Sequence, residues 1–183
     1  MSEPLPAAGP RPGAGGIGAV MAALAVAAGT AALGVAVGFA WAALAPRPWL
    51  IMTGARAAAV INPETAAFVT ADAIFSALCL AGGVVSGLAG FLLAVRRWGP
   101  LPMAGVLAGA IAAAFLARWI GEQNGLAAFH HLLATLPAGG RLRAPLTLGA
   151  GPALAFWPLA AGLTAGVLTA MTEREPAGML LAR

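Results

Sequence analysis

The residues in this sequence whose types and places could do chemistry include Asp72, Cys79, Arg118, Glu122, His130 and His131. Asp72 and Arg118 fall on two successive apolar helices that run antiparallel through a short connection, and ionisable groups so placed are the usual pointer to function. Counting from that connection, Arg118 lies about two turns closer to it than Asp72, a gap that a long Arg side chain recovers by snorkelling. One reading is an Asp72–Arg118 pair that lines a polar pocket together with Glu122. The reading preferred here leaves Asp72 in the headgroup zone, with Arg118 reaching water, lipid phosphate or Glu122, four residues along its own helix. Glu64, Asp72 and Glu122 are carboxylates that could face one cation, but their spacing fits no calcium loop.

The remaining candidates are weaker. His130 and His131 are adjacent and point about 100° apart on a helix, so they do not grip one metal together. Their segment, Leu126 to Leu136, reads as a short amphipathic helix with Leu126, Phe129, Leu133 and Leu136 on one face, suited to lying on a membrane surface. The serines are Ser2, Ser76 and Ser86, with no His beside them and none of the Gly-x-Ser-x-Gly, His-Glu-x-x-His or phosphate-loop patterns. Cys79 is the single cysteine, unable to form an internal disulfide and expected to behave as a small hydrophobe. No catalytic residue, metal site or cofactor is assigned, and the chain is read as a non-enzyme.

What must position these residues is set by composition. The 183 residues are 61% hydrophobic and 9% charged, with mean hydropathy +0.90. Soluble domains carry roughly 25% charged residues, which excludes a soluble monomer, and disorder needs the opposite bias. The formal net charge of +4 comes from ten Arg and no Lys, scattered without the basic stripe that a nucleic-acid partner requires. The expectation is an all-α integral membrane protein, a four-helix transmembrane bundle in contact with the lipid bilayer.

Four stretches are long and apolar enough to span, at about 17–45, 67–95, 101–120 and 152–172. The first is too long for a signal-peptide core and lacks its basic start, so it reads as a retained anchor. Asn62-Pro63-Glu64 has the residue types that open a helix before the second. Pro158 reads as a kink in the fourth. Segments 46–66 and 121–151 connect the spans on one side, and residues 1–16 and 173–183 are expected to be disordered tails. An even number of spans puts both termini on one side. Arg11, Arg96, Arg97, Arg174 and Arg183 lie there, against Arg47, Arg56, Arg141 and Arg143. Arg96 and Arg97 sit in a very short connection, where basic residues bias a loop to the cytoplasm, so both termini are placed inside. Trp41, Trp49, Trp98, Trp119 and Trp157 all fall near span ends, as interfacial indoles do.

Each span contains small residues four apart: Gly34/Gly38, Gly83/Gly87 (continued by Ser86/Gly90), Gly105/Gly109 and Gly162/Gly166. Such rows let helix backbones approach closely, within the bundle or against a membrane-protein partner or second copy.

Four landmarks recur in order: Trp41-Ala42-Ala43-Leu44-Ala45-Pro46, Phe68-Val69-Thr70-Ala71-Asp72, Arg97-Trp98-Gly99-Pro100 and Phe156-Trp157-Pro158-Leu159. In these the sequence resembles, over about residues 17–172, a family of actinobacterial four-pass membrane proteins classed as a domain of unknown function. The segment near 47–61 departs from that pattern in being short and nearly uncharged. The resemblance implies a plasma-membrane location and brings no substrate or catalytic residue. An accessory or structural membrane protein is the leading expectation. The alternative is a small transporter or channel component with a pocket at Asp72, Arg118 and Glu122, its small-molecule substrate unknown.

Overall fold

The computed structural model describes residues 13–54, 56–62 and 66–173. Its four long helices are apolar enough to cross a membrane: α1 (Gly13–Leu44), α2 (Ala67–Trp98), α3 (Leu101–Gln123) and α5 (Phe156–Glu173), the last led in by a 3-10 turn at Gly151–Ala155. Between α3 and α5 lies a shorter helix, α4 (Leu126–Thr135). Among the described residues there are also three strands: β1 (Trp49–Gly54), β2 (Ala57–Val60) and β3 (Arg141–Arg143).

The long helices form two parallel pairs, α1 with α3 and α2 with α5. Glycine fixes both. A Cβ on Gly34 or Gly105 would overlap the backbone of Ala113 or Ala23, and Gly38 and Gly109 sit in the same way against Ala117 and Ala27. Glycines four apart on each helix therefore face alanines four apart on the other, in register along the pair, which is how small residues bring backbones together. Gly83 and Gly87 do the same for α2 against Trp157 and Ala161 of α5. The fourth row behaves differently. Gly162 meets the Leu107 side chain, while a Cβ on Gly166 would meet open space.

Four expectations need correction. The architecture is not purely helical, because segments 46–66 and 121–151 pair as an antiparallel sheet of order β2-β1-β3. The reason is an alternation in Trp49–Gly54, where Leu50 and Met52 turn to one face and Trp49 and Thr53 to the other. Leu142 and Ala144 extend that face, and Phe129, Leu133 and Leu136 of α4 pack on it. The apolar side of the predicted surface helix is thus turned onto the sheet.

Trp41 and Trp157 are not interfacial. Both are fully buried, Trp41 edge-on to Phe75 with ring centroids 4.8 Å apart, and Trp157 in the space left by Gly82. Each indole N–H has an internal acceptor, the Ala71 carbonyl at 2.9 Å and the Ser86 hydroxyl at 3.2 Å, which lets so large an amphipathic ring be buried.

Pro158 lies in the first turn of α5, where its missing N–H falls at the change from 3-10 to α geometry, so it belongs to the helix start. Residues 13–16, expected in the N-terminal tail, are already helical. The boundary of α2 is Ala66, without a side-chain cap, and Pro63 and Glu64 of the expected cap lie outside the described residues. Residues 1–12 and 174–183, with Arg11, Arg174 and Arg183, lie outside them too.

One feature has no counterpart in the sequence reading: the last turns of α2 widen into a π-helical stretch at Phe91–Val95 before Arg96–Trp98. Gly99 then ends the helix at φ +81°, and Gly125 separates α3 from α4 at φ +86°, both in the left-handed region that glycine enters at little cost.

Candidate functional site at the sheet end

The ionisable residues singled out by sequence gather at the end of the bundle that carries the sheet. Asp72 lies in the second turn of α2 and Glu122 in the last turn of α3. Their shared target is the segment before α5. Asp72 Oδ1 accepts the Gly149 N–H at 3.1 Å and Oδ2 the Ala150 N–H at 2.8 Å. Glu122 Oε1 accepts the Leu148 N–H at 3.1 Å. Three consecutive backbone donors, at the positive start of the helix that follows, are thus held by two carboxylates from different helices. Asp72 does so although it is 78 residues away from Ala150 in sequence.

Arg118 does not pair with Asp72. Its Nε donates to Glu122 Oε1 at 3.0 Å, with side chains 39% and 26% exposed, and this is the one ion pair among the described residues. At that exposure an i,i+4 pair stabilises by only about 0.3–0.5 kcal/mol. Its consequence is orientation, since it holds the Glu122 carboxylate toward Leu148. Asp72, Arg118 and Glu122 therefore belong to one end of the bundle and act on one segment, as two attachments and not as a charge-paired pocket.

Sequence reasoning missed three participants. Arg47 bridges the ends of α1 and α3, with Nη2 3.3 Å from the Ala42 carbonyl and 3.4 Å from that of Asn124. Trp41, next to the site, holds the Ala71 carbonyl, the residue before Asp72. The backbone of Leu148–Ala150 carries no side-chain signal at all. The Pro-bounded Arg47 was visible as a charge in a turn, but its acceptors are carbonyls that only the fold brings near.

The other candidates stand apart. His130 and His131 are exposed on α4, with His130 stacked loosely on Phe129 at 5.9 Å. Cys79 is buried within α2. Glu64 lies outside the described residues. Among the described residues no three His, Cys, Asp or Glu side chains are placed to hold a metal ion. The arrangement at Asp72 and Glu122 is an acceptor set that engages three backbone donors. It fixes where a loop lies.

No protein-family model, curated protein or solved structure matches the chain.

Proposed function

We propose that this chain is a four-pass plasma-membrane protein, non-enzymatic and accessory or structural in role, which presents the sheet and α4 as a small folded platform outside the cell. The observation that carries this reading is the grip of Asp72 and Glu122 on residues 148–150. The carboxylates best placed for chemistry are engaged in holding the segment that ties platform to bundle. Four helices of spanning length and the Trp49 and Arg143 side chains stacked at the platform's surface, 5.0 Å apart, agree with it. The orientation, with both termini cytoplasmic, rests on Arg96 and Arg97 in the last turn of α2, beside the short α2–α3 connection. Membership of the actinobacterial four-pass family belongs to the same reading.

Its partner would be another membrane protein or a second copy. Three of the four glycine rows are occupied inside the bundle, which leaves the Gly162/Gly166 side of α5 as the small-residue face with room. The alternative, a transporter or channel component, draws on the partly exposed Arg118 but requires Asp72 to release two backbone donors.

Cysteine labelling in intact cells tests the arrangement. A cysteine at Ala59, exposed on β2, should react with an impermeant reagent, and one at Trp98 should not. The reverse pattern inverts the topology, and reaction at both overturns the four-pass reading. A photo-crosslinker at Ala59 should capture a reproducible membrane-protein partner or a second copy. Its absence, with solute flux that responds to Arg118→Ala, would favour the transport alternative.

A further inference from the structure

The α1–α3 and α2–α5 pairs are closed by glycine, but the side between α1 and α2 is not. A groove of about 350 Å³ opens there, walled by Ala22, Val26 and Leu33 of α1 and by Val85, Leu93 and Ala94 of α2. Two hydroxyls reach its wall, Thr30 and Ser86, and Ser86 is already engaged with Trp157 and the Gly83 carbonyl. Otherwise the lining is hydrocarbon. From Ala22 to Leu33 it runs along α1 for about 16 Å, half of a ~30 Å bilayer core and so the depth of one leaflet.

The end of the groove toward the α2–α3 connection is different. Trp98 closes it, and Arg97 lies over the Trp98 ring with its guanidinium 4.8 Å from the centroid. Neither the Trp98 indole N–H nor the Arg97 guanidinium has a side-chain hydrogen bond or ion pair among the described residues. Arg96 beside them is exposed and is likewise outside any ion pair among the described residues. An apolar slot one leaflet deep, with a positive charge that no described residue pairs and a neutral N–H donor at its mouth, matches one kind of molecule.

We propose that the α1/α2 groove binds an anionic phospholipid of the surrounding bilayer, one acyl chain lying in the slot and the phosphate on Arg97 and the Trp98 N–H. The inference rests on the chain being membrane-embedded. Charge complementarity selects the headgroup, since basic residues between helices at the membrane surface attract anionic lipid. Slot length selects an acyl chain over a soluble anion, which would need no groove. A second copy of this chain would place a helix ridge in the slot and would leave the Arg97 charge without a counterpart.

The full chain, reconstituted in phosphatidylcholine vesicles with a minor share of phosphatidylglycerol, tests this. Each lipid in turn carries a photoactivatable diazirine on one acyl chain, and the crosslinked residues are mapped by peptide mass spectrometry. The expected result is labelling concentrated on residues 22–33 and 85–94, with phosphatidylglycerol favoured roughly fivefold, the effect of one basic residue near a charged surface. Gly29→Leu should abolish that labelling for both lipids; a Cβ there meets nothing within 4 Å and Gly29 lines the groove, so the side chain enters the slot without striking the backbone packing of the helix pairs. Arg97→Gln should keep the labelling and bring the preference close to one. Labelling spread evenly around the bundle, unchanged in Gly29→Leu, or equal for the two lipids overturns the proposal. Crosslinks between copies at residues 22–33 overturn it in favour of a dimer. Release of the protein from the vesicles by an alkaline wash is a separate outcome and removes the membrane reading itself.

Discussion

At the sheet end of the bundle Asp72, Glu122, Arg118 and Arg47 bond to their own chain; at the opposite end Arg96 and Arg97 have no ion pair among the described residues. The Trp98 N–H there has no hydrogen bond among the described residues, and Arg97 stacks on the Trp98 ring. The contrast follows from what each end must hold. Long connections and a sheet meet the bundle at the first, and a loop of that size needs fixed points for its backbone. A connection of two residues, Gly99 and Pro100, joins α2 to α3 at the second, so its charges are left to meet the solvent or headgroups.

The comparison can be broken most severely through the helix pair common to both ends. Gly105→Leu puts a side chain into the Ala23 backbone and should cost about 3 kcal/mol or more, overpacking with no flexible neighbour to yield. Gly166→Leu faces open space and should change stability by less than about 0.5 kcal/mol. Thermal unfolding of the two variants in detergent checks the difference, and equal midpoints would refute the helix pairing described above.

The next effect belongs to the sheet end. Asp72→Ala removes a charged acceptor from two backbone donors and should cost about 2–3 kcal/mol. Hydrogen exchange should then quicken at Gly149 and Ala150 while the middle of α3 stays protected. Loss of protection throughout would mean that the segment is not a separate unit. Glu122→Gln keeps an acceptor for Leu148 but loses the ion pair, so a cost below about 1 kcal/mol is expected from the same measurement. Smallest is Arg143→Ala, which removes a stacked guanidinium from Trp49 at an exposed site, about 0.5 kcal/mol, read as a shift in Trp49 fluorescence. Against these, Arg97→Gln should cost no more than about 0.5 kcal/mol, because among the described residues the contact it loses is its exposed stacking on Trp98.

The glycine rows show how far a pattern goes. Spacing of four places Gly34 and Gly38 on one face of α1, and that much is a property of the helix. Which helix they meet is not, because Gly105/Gly109 and Gly83/Gly87 offer the same surface. The tryptophans show a second limit. A residue near the end of an apolar stretch reads as interfacial, yet Trp41 and Trp157 are buried because the Ala71 carbonyl and the Ser86 hydroxyl happen to lie within reach. The Leu50/Met52 alternation of β1 is a strand signal that the expectation of an all-α chain passed over, and β3 is three residues long with no period of its own.

By itself the sequence determined four long apolar helices, their approximate ends, the amphipathic face of α4 and the few ionisable positions worth asking about. These follow from hydropathy and local spacing, which act within one segment. Tertiary structure decided which helices pair, that α4 covers a sheet, that Arg118 turns to Glu122, and that Asp72 grips a backbone 77 residues away at Gly149. The last of these depends on a main-chain N–H donor, which leaves no mark in the order of side chains, and the others on which side chains the fold brings face to face.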